Sequence, residues 1–192
     1  MSNVRRHTHP LPMHVAFLHG PPASGKHTVG LKLSELTGLP LFHNHLAVDT
    51  AMSLFSFGTL GFNRMRATIW RAAFAEAAAA DTSFIFTFNP EATVDPVLID
   101  DLRRVVQDNG GRMYFVQLEC SPAAITQRIS NESRKRFGKL TDPSLYKQLL
   151  ASGAFAFPPL PDALLVVNTE ETTAVLAAEK IARAIAAAEN DA

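Results

Sequence analysis

The residues Gly20-Pro21-Pro22-Ala23-Ser24-Gly25-Lys26-His27-Thr28 constrain the fold more than any other part of the chain. A short apolar run, Val15-Ala16-Phe17-Leu18, precedes them and is bounded by turn residues, as a buried parallel strand would be. Behind them a helical pattern opens at Gly25, with Val29, Leu33 and Leu36 on one face and a stop at Gly38 and Pro40. A glycine-bearing turn between a strand and a helix has a specific physical use. Small residues let successive backbone N–H groups converge on an anion. The helix start adds its own N–H groups and the positive end of its dipole. Lys26 is then placed to reach terminal phosphates as a compact charge. At average composition the three fixed positions of G-x-x-x-x-G-K recur by chance in roughly one chain in twenty of this length; the flanking strand and helix cut that several-fold. The bland alternative is a plain glycine turn entering a helix.

The pattern is that of a Walker A phosphate loop, which makes Gly20, Ala23, Ser24, Gly25, Lys26, His27 and Thr28 candidate nucleotide-binding residues. It departs at one position. Serine or threonine normally follows the lysine and offers its hydroxyl to magnesium, whereas here His27 does, with Thr28 one place later. Imidazole is a poor ligand for a hard cation that prefers oxygen donors. Magnesium is therefore expected through water, through a carboxylate elsewhere, or weakly, with Thr28 as a candidate ligand.

Strand-like and helix-like segments alternate along the rest of the chain. Strands are expected at 15–18, 40–43, 83–88, 113–118 and 163–167, and helices from 25, over 47–57, 64–80 and 96–108, from 121, and over 172–188. Ser121-Pro122 supplies a cap and a first-turn proline. Strands separated by helices argue for a parallel sheet covered on both faces. With 192 residues, no internal repeat and no linker, the reading is a mobile tail over 1–13 and a single domain over 14–192. Lysine plus arginine and aspartate plus glutamate balance at 18 each, which offers no broad field for nucleic acid or a membrane. Cys120 is the single cysteine, so an internal disulfide and a cysteine-rich zinc site are excluded. With no apolar stretch of signal-peptide or membrane-spanning length, a cytoplasmic protein is expected.

On the Walker A segment, and over the rest of the chain on element order, the sequence resembles the P-loop small-molecule kinases, the group of shikimate, gluconate and adenylate kinases and chloramphenicol phosphotransferase. The resemblance implies a three-layer P-loop NTPase fold, with a five-stranded parallel sheet of order 2-3-1-4-5, helices on both faces and a lid. It implies ATP and Mg²⁺ as cofactors, a small-molecule acceptor, and a monomer or homodimer with no nucleic-acid or membrane partner. A carboxylate after the second strand would take the acceptor's proton or position magnesium; Asp49 is the nearest acid and so also a candidate magnesium ligand, and its other reading is an exposed residue early in a helix. His43 and His45 lie two apart, on one face of an extended segment, and are read as substrate contacts, with packing or metal ligation as alternatives.

The basic residues Arg128, Arg134, Lys135, Arg136 and Lys139 fall where such kinases place a lid, with Arg128 and Arg134 first in line for phosphate; a solvated charged helix end is the other reading. The third strand ends without an acid, leaving Thr87 and Asn89 to contact substrate or a magnesium-bound water, or to stand as plain strand-end residues; Glu119, ending the fourth strand, is an alternative acid whose other reading is structural. Asn168-Thr169 follows the last strand, where related kinases line the adenine pocket, with Asn168 first, and the pair would otherwise cap a helix. The function implied is transfer of the ATP γ-phosphate to a hydroxyl of a small molecule. The alternative is a catalytically weak nucleotide-binding or regulatory module. The lack of an N-K-x-D segment argues against a GTPase.

Overall fold

Strand β1 (His14–His19) is apolar on both sides: Val15 and Phe17 point to one face, Ala16 and Leu18 to the other, and all four are fully buried. Such a strand belongs at the centre of a sheet. In the computed structural model, which describes residues 12–130, 140, 142–155 and 158–191, β1 pairs in parallel with β3 (Phe84–Phe88) and β4 (Arg112–Glu119). Strand β2 (Leu41–His43) extends the sheet beyond β3, and β5 (Leu165–Asn168) extends it beyond β4. The order is β2-β3-β1-β4-β5, as expected.

Two helical layers cover the sheet. Helices α3 (Leu60–Ala79) and α4 (Pro96–Asp108) bury Trp70, Phe74, Leu98, Leu102 and Val106 against the face carrying Phe17, Phe86 and Phe115. The Phe17 ring lies 5.3 Å from Phe86 and 4.8 Å from Phe115, within the range of favourable aromatic pairs. On the other face, α1 (Lys26–Thr37) contributes Val29 and Leu33, and α7 (Ala174–Asn190) contributes Ala177, Ala178, Ile181 and Ile185. The remaining helices are α2 (His45–Met52), α5 (Pro122–Ile129) and α6 (Pro143–Ala151).

Three local expectations change. Leu36 is 53% exposed, because α1 turns Val29, Gly30 and Leu33 inward; a Cβ on Gly30 would stand 3.0 Å from Leu41 Cδ1. Helix α2 stops at Met52 rather than at 57, and α3 begins at Leu60 rather than at 64, where the Thr59 side chain accepts from the Phe62 N–H. Helix α6 was not expected, yet Asp142-Pro143 is a sound start: the Asp142 carboxylate accepts from Ser144 N–H at 2.7 Å and Leu145 N–H at 3.3 Å. Arg134, Lys135, Arg136 and Lys139 lie outside the described residues.

Candidate active site

All five strands run the same way, so His19, His43, Phe88, Glu119 and Asn168 end at one edge of the sheet, where ligands of open α/β sheets bind. The loop from β1 to α1 is wound there. Gly20 has φ +148, and a Cβ on it would meet the Leu118 carbonyl oxygen at 2.0 Å, so only glycine fits. Ala23 and Gly25 take left-handed φ values of 62 and 89, which for the alanine costs on the order of 1 kcal/mol. A bend of this kind turns backbone N–H groups inward. Gly25 gives α1 no side-chain cap, which leaves the first helical turn suited to an anion.

Lys26 folds back over this loop. Its Nζ donates to the Gly20 carbonyl at 2.8 Å, the Pro21 carbonyl at 2.7 Å and Ser24 Oγ at 3.4 Å. Beneath it, burial together with the nearby Lys26 charge pushes the His19 imidazole down to about 4. The His27 ring meets His43 edge-on at 4.8 Å, and His43 lies 6.4 Å from His45. Among the described residues no group of three or more histidines, cysteines or acids is placed to hold a metal.

A cleft of about 1000 Å³ runs from the loop across the strand ends. Ala23, Gly25, Lys26, His27 and Thr28 line one end, with Thr28 exposed on the first turn of α1. Gly20 and Ser24 are buried in the loop's wall and do not line the cleft. Arg128 also lines this end, and its guanidinium donates to Thr169 Oγ1 at 3.0 Å and to the Thr169 carbonyl at 2.8 Å. Of the pair Asn168-Thr169, Thr169 lines the cleft. The Asn168 Oδ1 instead accepts from Glu170 N–H at 2.9 Å, so it neither lines the cleft nor caps α7, whose cap is Thr173.

The other end is built from the residues after β2 and β3. His45, Thr87 and Asn89 line it, while His43 packs behind them on His27. Asp49 is exposed and does not line it: α2 presents His45, Val48 and Met52, and Asp49 lies to one side of that face. Three polar residues lining this end were not among the sequence candidates: Asn44, Glu91 and Thr93. Asn44 is 8% exposed, and its N–H donates to Thr87 Oγ1 at 3.2 Å. Glu91 Oε1 is paired with Arg66 Nη1 from α3, whose side chain is 1% exposed and whose Nη2 also donates to the Thr93 carbonyl at 3.0 Å. The signal for this pair was an arginine in the buried stripe Phe62, Arg66, Trp70, Phe74, which demands an acid partner.

These features suit a nucleotide triphosphate: an inward-turned backbone cradle, an uncapped helix start and one lysine over the loop mouth. For Mg²⁺ the phosphate end offers an oxygen donor of the right type in Thr28, with His27 of the wrong type, while Asp49, the other expected ligand, does not line the cleft.

No protein-family model and no curated protein matches the sequence. Solved structures do. A protein from Chloroflexus aurantiacus, described provisionally as a kinase, superposes with a TM-score of 0.66 at 20% identity, over 91% of this chain and 98% of that one. A gluconokinase from Sinorhizobium meliloti 1021 gives 0.60 at 20% identity, over 95% and 97%. A shikimate kinase from Acinetobacter baumannii, in complex with shikimate, gives 0.58 at 19% identity, over 92% and 94%. With this strand order and these superpositions, the chain has the P-loop kinase fold.

Proposed function

We propose that this protein is an ATP-dependent phosphotransferase that moves the γ-phosphate to a hydroxyl of a small molecule. The observation that carries the reading is the continuity of the cleft: a phosphate cradle at one end opens directly into a second chamber at the other. ATP supplies the phosphoryl group when bound, and the accompanying Mg²⁺ would be held by phosphates, water and the Thr28 hydroxyl. Gly20, Ala23, Ser24 and Gly25 shape the loop whose N–H groups bind the β- and γ-phosphates. Lys26 exchanges the Gly20 and Pro21 carbonyls for phosphate oxygens and offsets charge developing on the transferred group. Arg128, held on Thr169, closes the nucleotide end, and Arg134 is proposed to close over the phosphates from the lid.

In the transfer itself a lone pair of the acceptor oxygen forms the new bond to the γ-phosphorus. The bond to the β,γ-bridging oxygen breaks, and its electron pair leaves with ADP. The acceptor's hydroxyl proton goes to a carboxylate. We assign that role to Glu91 rather than Asp49, because Glu91 lines the chamber and Asp49 does not. His45, Thr87 and Asn89 orient the acceptor. Phosphoryl transfer of this kind rewards positioning more than proton removal, so the lysine matters most.

The test is ADP formation from Mg·ATP with pooled hydroxyl compounds. Lys26→Ala is expected to lower acceptor-dependent turnover at least ~100-fold, the scale for losing one preorganised donor to transition-state charge. Glu91→Gln, assayed where it is still folded, is expected to slow turnover more than Asp49→Asn. ATP binding without turnover in any pool would favour a binding or regulatory module. A larger loss in Asp49→Asn would return the base to Asp49.

A further inference from the structure

Glu91 meets the protein with one of its two carboxylate oxygens. Glu91 and Thr93 come from the loop after β3, and the guanidinium of Arg66 reaches both from α3. Arg66 Nη1 donates to Glu91 Oε1, and Nη2 donates to the Thr93 carbonyl at 3.0 Å. Both Nη atoms also lie 3.4 Å from Thr93 Oγ1, which donates in turn to Glu91 Oε1 at 3.0 Å. A guanidinium only donates, so the hydroxyl accepts from it and turns its own proton to the carboxylate. Oε1 therefore has two donors. Oε2 has none among the described residues, and unlike the buried Oδ1 atoms of Asn44 and Asn89 it is open to solvent, on a side chain that lines the cleft and is 17% exposed.

Filling space does not account for Arg66. It stands in a buried stripe with Phe62, Trp70 and Phe74, and its Nε is buried without a partner. Desolvation works against its charge, and an apolar side chain of similar volume often serves such a place as well or better. What the guanidinium adds is direction. It lies 5.0 Å from the Phe62 ring centre and 5.2 Å from that of Trp70, so packing orients the planar fork that meets Glu91. The contacts to Oε1, to the Thr93 hydroxyl and to the Thr93 carbonyl then hold one arrangement of the carboxylate, with Oε1 against the protein and Oε2 left to the cleft.

We propose that Arg66 and Thr93 are positioning residues that reserve Glu91 Oε2 for the acceptor hydroxyl. This rests on the phosphotransferase reading and on Glu91 as the proton's destination. As the acceptor oxygen bonds to the γ-phosphorus, its O–H bond breaks and that electron pair stays on the oxygen. The proton goes to a lone pair of Oε2, Oε1 keeps both donors, and ADP carries away the pair of the broken P–O bond. The test is single-turnover transfer from Mg·ATP on the full chain, with the pooled hydroxyl compounds and with water alone. Thr93→Val removes the hydroxyl and keeps the carbonyl that Arg66 uses. It is expected to slow the chemical step roughly tenfold or more, with ATP affinity by calorimetry within about twofold of the parent, while Thr93→Ser stays within about threefold. In a Glu91→Gln background the same Thr93→Val is expected to cost less than about twofold, because a residue that acts through Glu91 has nothing left to position. Arg66→Lys, assayed where it is still folded, keeps the charge, loses the fork and is expected to slow the step by roughly tenfold. Transfer by the parent with Thr93→Val as fast as Thr93→Ser overturns the proposal and leaves the kinase reading intact. So does an equal loss in the Glu91→Gln background, or a loss that saturating acceptor removes, which would make Thr93 a direct substrate contact. No transfer by the parent to any pool or to water overturns the phosphotransferase reading, and this assignment with it.

Discussion

Removing the Glu91 carboxylate tests how the acceptor wall is held. Arg66 is 1% exposed, and its burial alone drives the guanidinium pKa down, with the Glu91 charge opposing that shift. Glu91→Gln leaves a buried cation without its counter-charge, a change that costs 3–5 kcal/mol when a buried pair is broken. Here the cost is smaller. The Thr93 carbonyl still accepts from Nη2 at 3.0 Å, and the guanidinium lies 5.0 Å from the Phe62 ring centre and 5.2 Å from that of Trp70. Glu91 is also 17% exposed, so water reaches its end of the pair. The expected loss is about 2–3 kcal/mol, which for a chain of this length lowers Tm by roughly 4–12 °C. Trp70 is the only tryptophan and packs beside the pair, so its fluorescence reports urea unfolding at this place. The double substitution Arg66→Met with Glu91→Gln removes both charges and is expected to recover stability to within about 1 kcal/mol of the parent. A Tm for Glu91→Gln within 2 °C of the parent, where 2 °C is roughly the shift from a single kcal/mol, would refute the reasoning, as would a double variant no more stable than the single.

Gly20→Ala places a Cβ 2.0 Å from a backbone carbonyl, so the loop must shift. ATP affinity measured by calorimetry is expected to fall more than tenfold, with stability reduced by roughly 1–3 kcal/mol; unchanged affinity would mean that the loop geometry is not what binds phosphate. His19 gives stability a pH dependence. Its folded pKa of about 4 lies below the ordinary 6.5, so as pH falls from 6.5 the unfolded chain takes up a proton that the folded one refuses. Stability is expected to decline between those values by up to roughly 3 kcal/mol and to level off below. His19→Gln should flatten most of that slope in denaturant titrations from pH 7 to 4, and half-buried His14, shifted in the same direction by desolvation, accounts for a remainder. An unchanged slope would contradict the assignment.

The half of the site that was legible in the sequence is the contiguous half. The residues from Gly20 to Thr28 carry their own spacing, and the flanking strand and helix announce themselves by pattern. The sheet order came with the resemblance, since no strand states its neighbour. Side-chain direction was harder. Asp49 is close to β2 in sequence, but α2 points His45, Val48 and Met52 at the cleft and leaves Asp49 beside that face. Asn168 and Thr169 differ by one residue, and at a strand end one residue is enough to change sides. Glu91 and Arg66 are 25 residues apart, and no local pattern joins them. Asn44 was hidden between two histidines that drew attention as candidate ligands.

The two halves also differ in what they can discriminate. On the proposed reading the cradle would recognise phosphate through backbone N–H groups, which any chain able to wind Gly20, Ala23 and Gly25 in this way would supply. The acceptor end would recognise through side chains of α2 and of the segments after β2 and β3, so the identity of the acceptor would be written in residues that the motif does not specify. His27 joins them. In the place where a hydroxyl normally serves magnesium, its ring lies edge-on to His43, whose strand leads directly into Asn44 and His45. The substitution that weakens one magnesium ligand therefore gives the first turn of α1 a contact with the acceptor floor. A serine at this position would restore a hydroxyl beside the phosphates and lose that contact, trading support of the chamber for a conventional metal site.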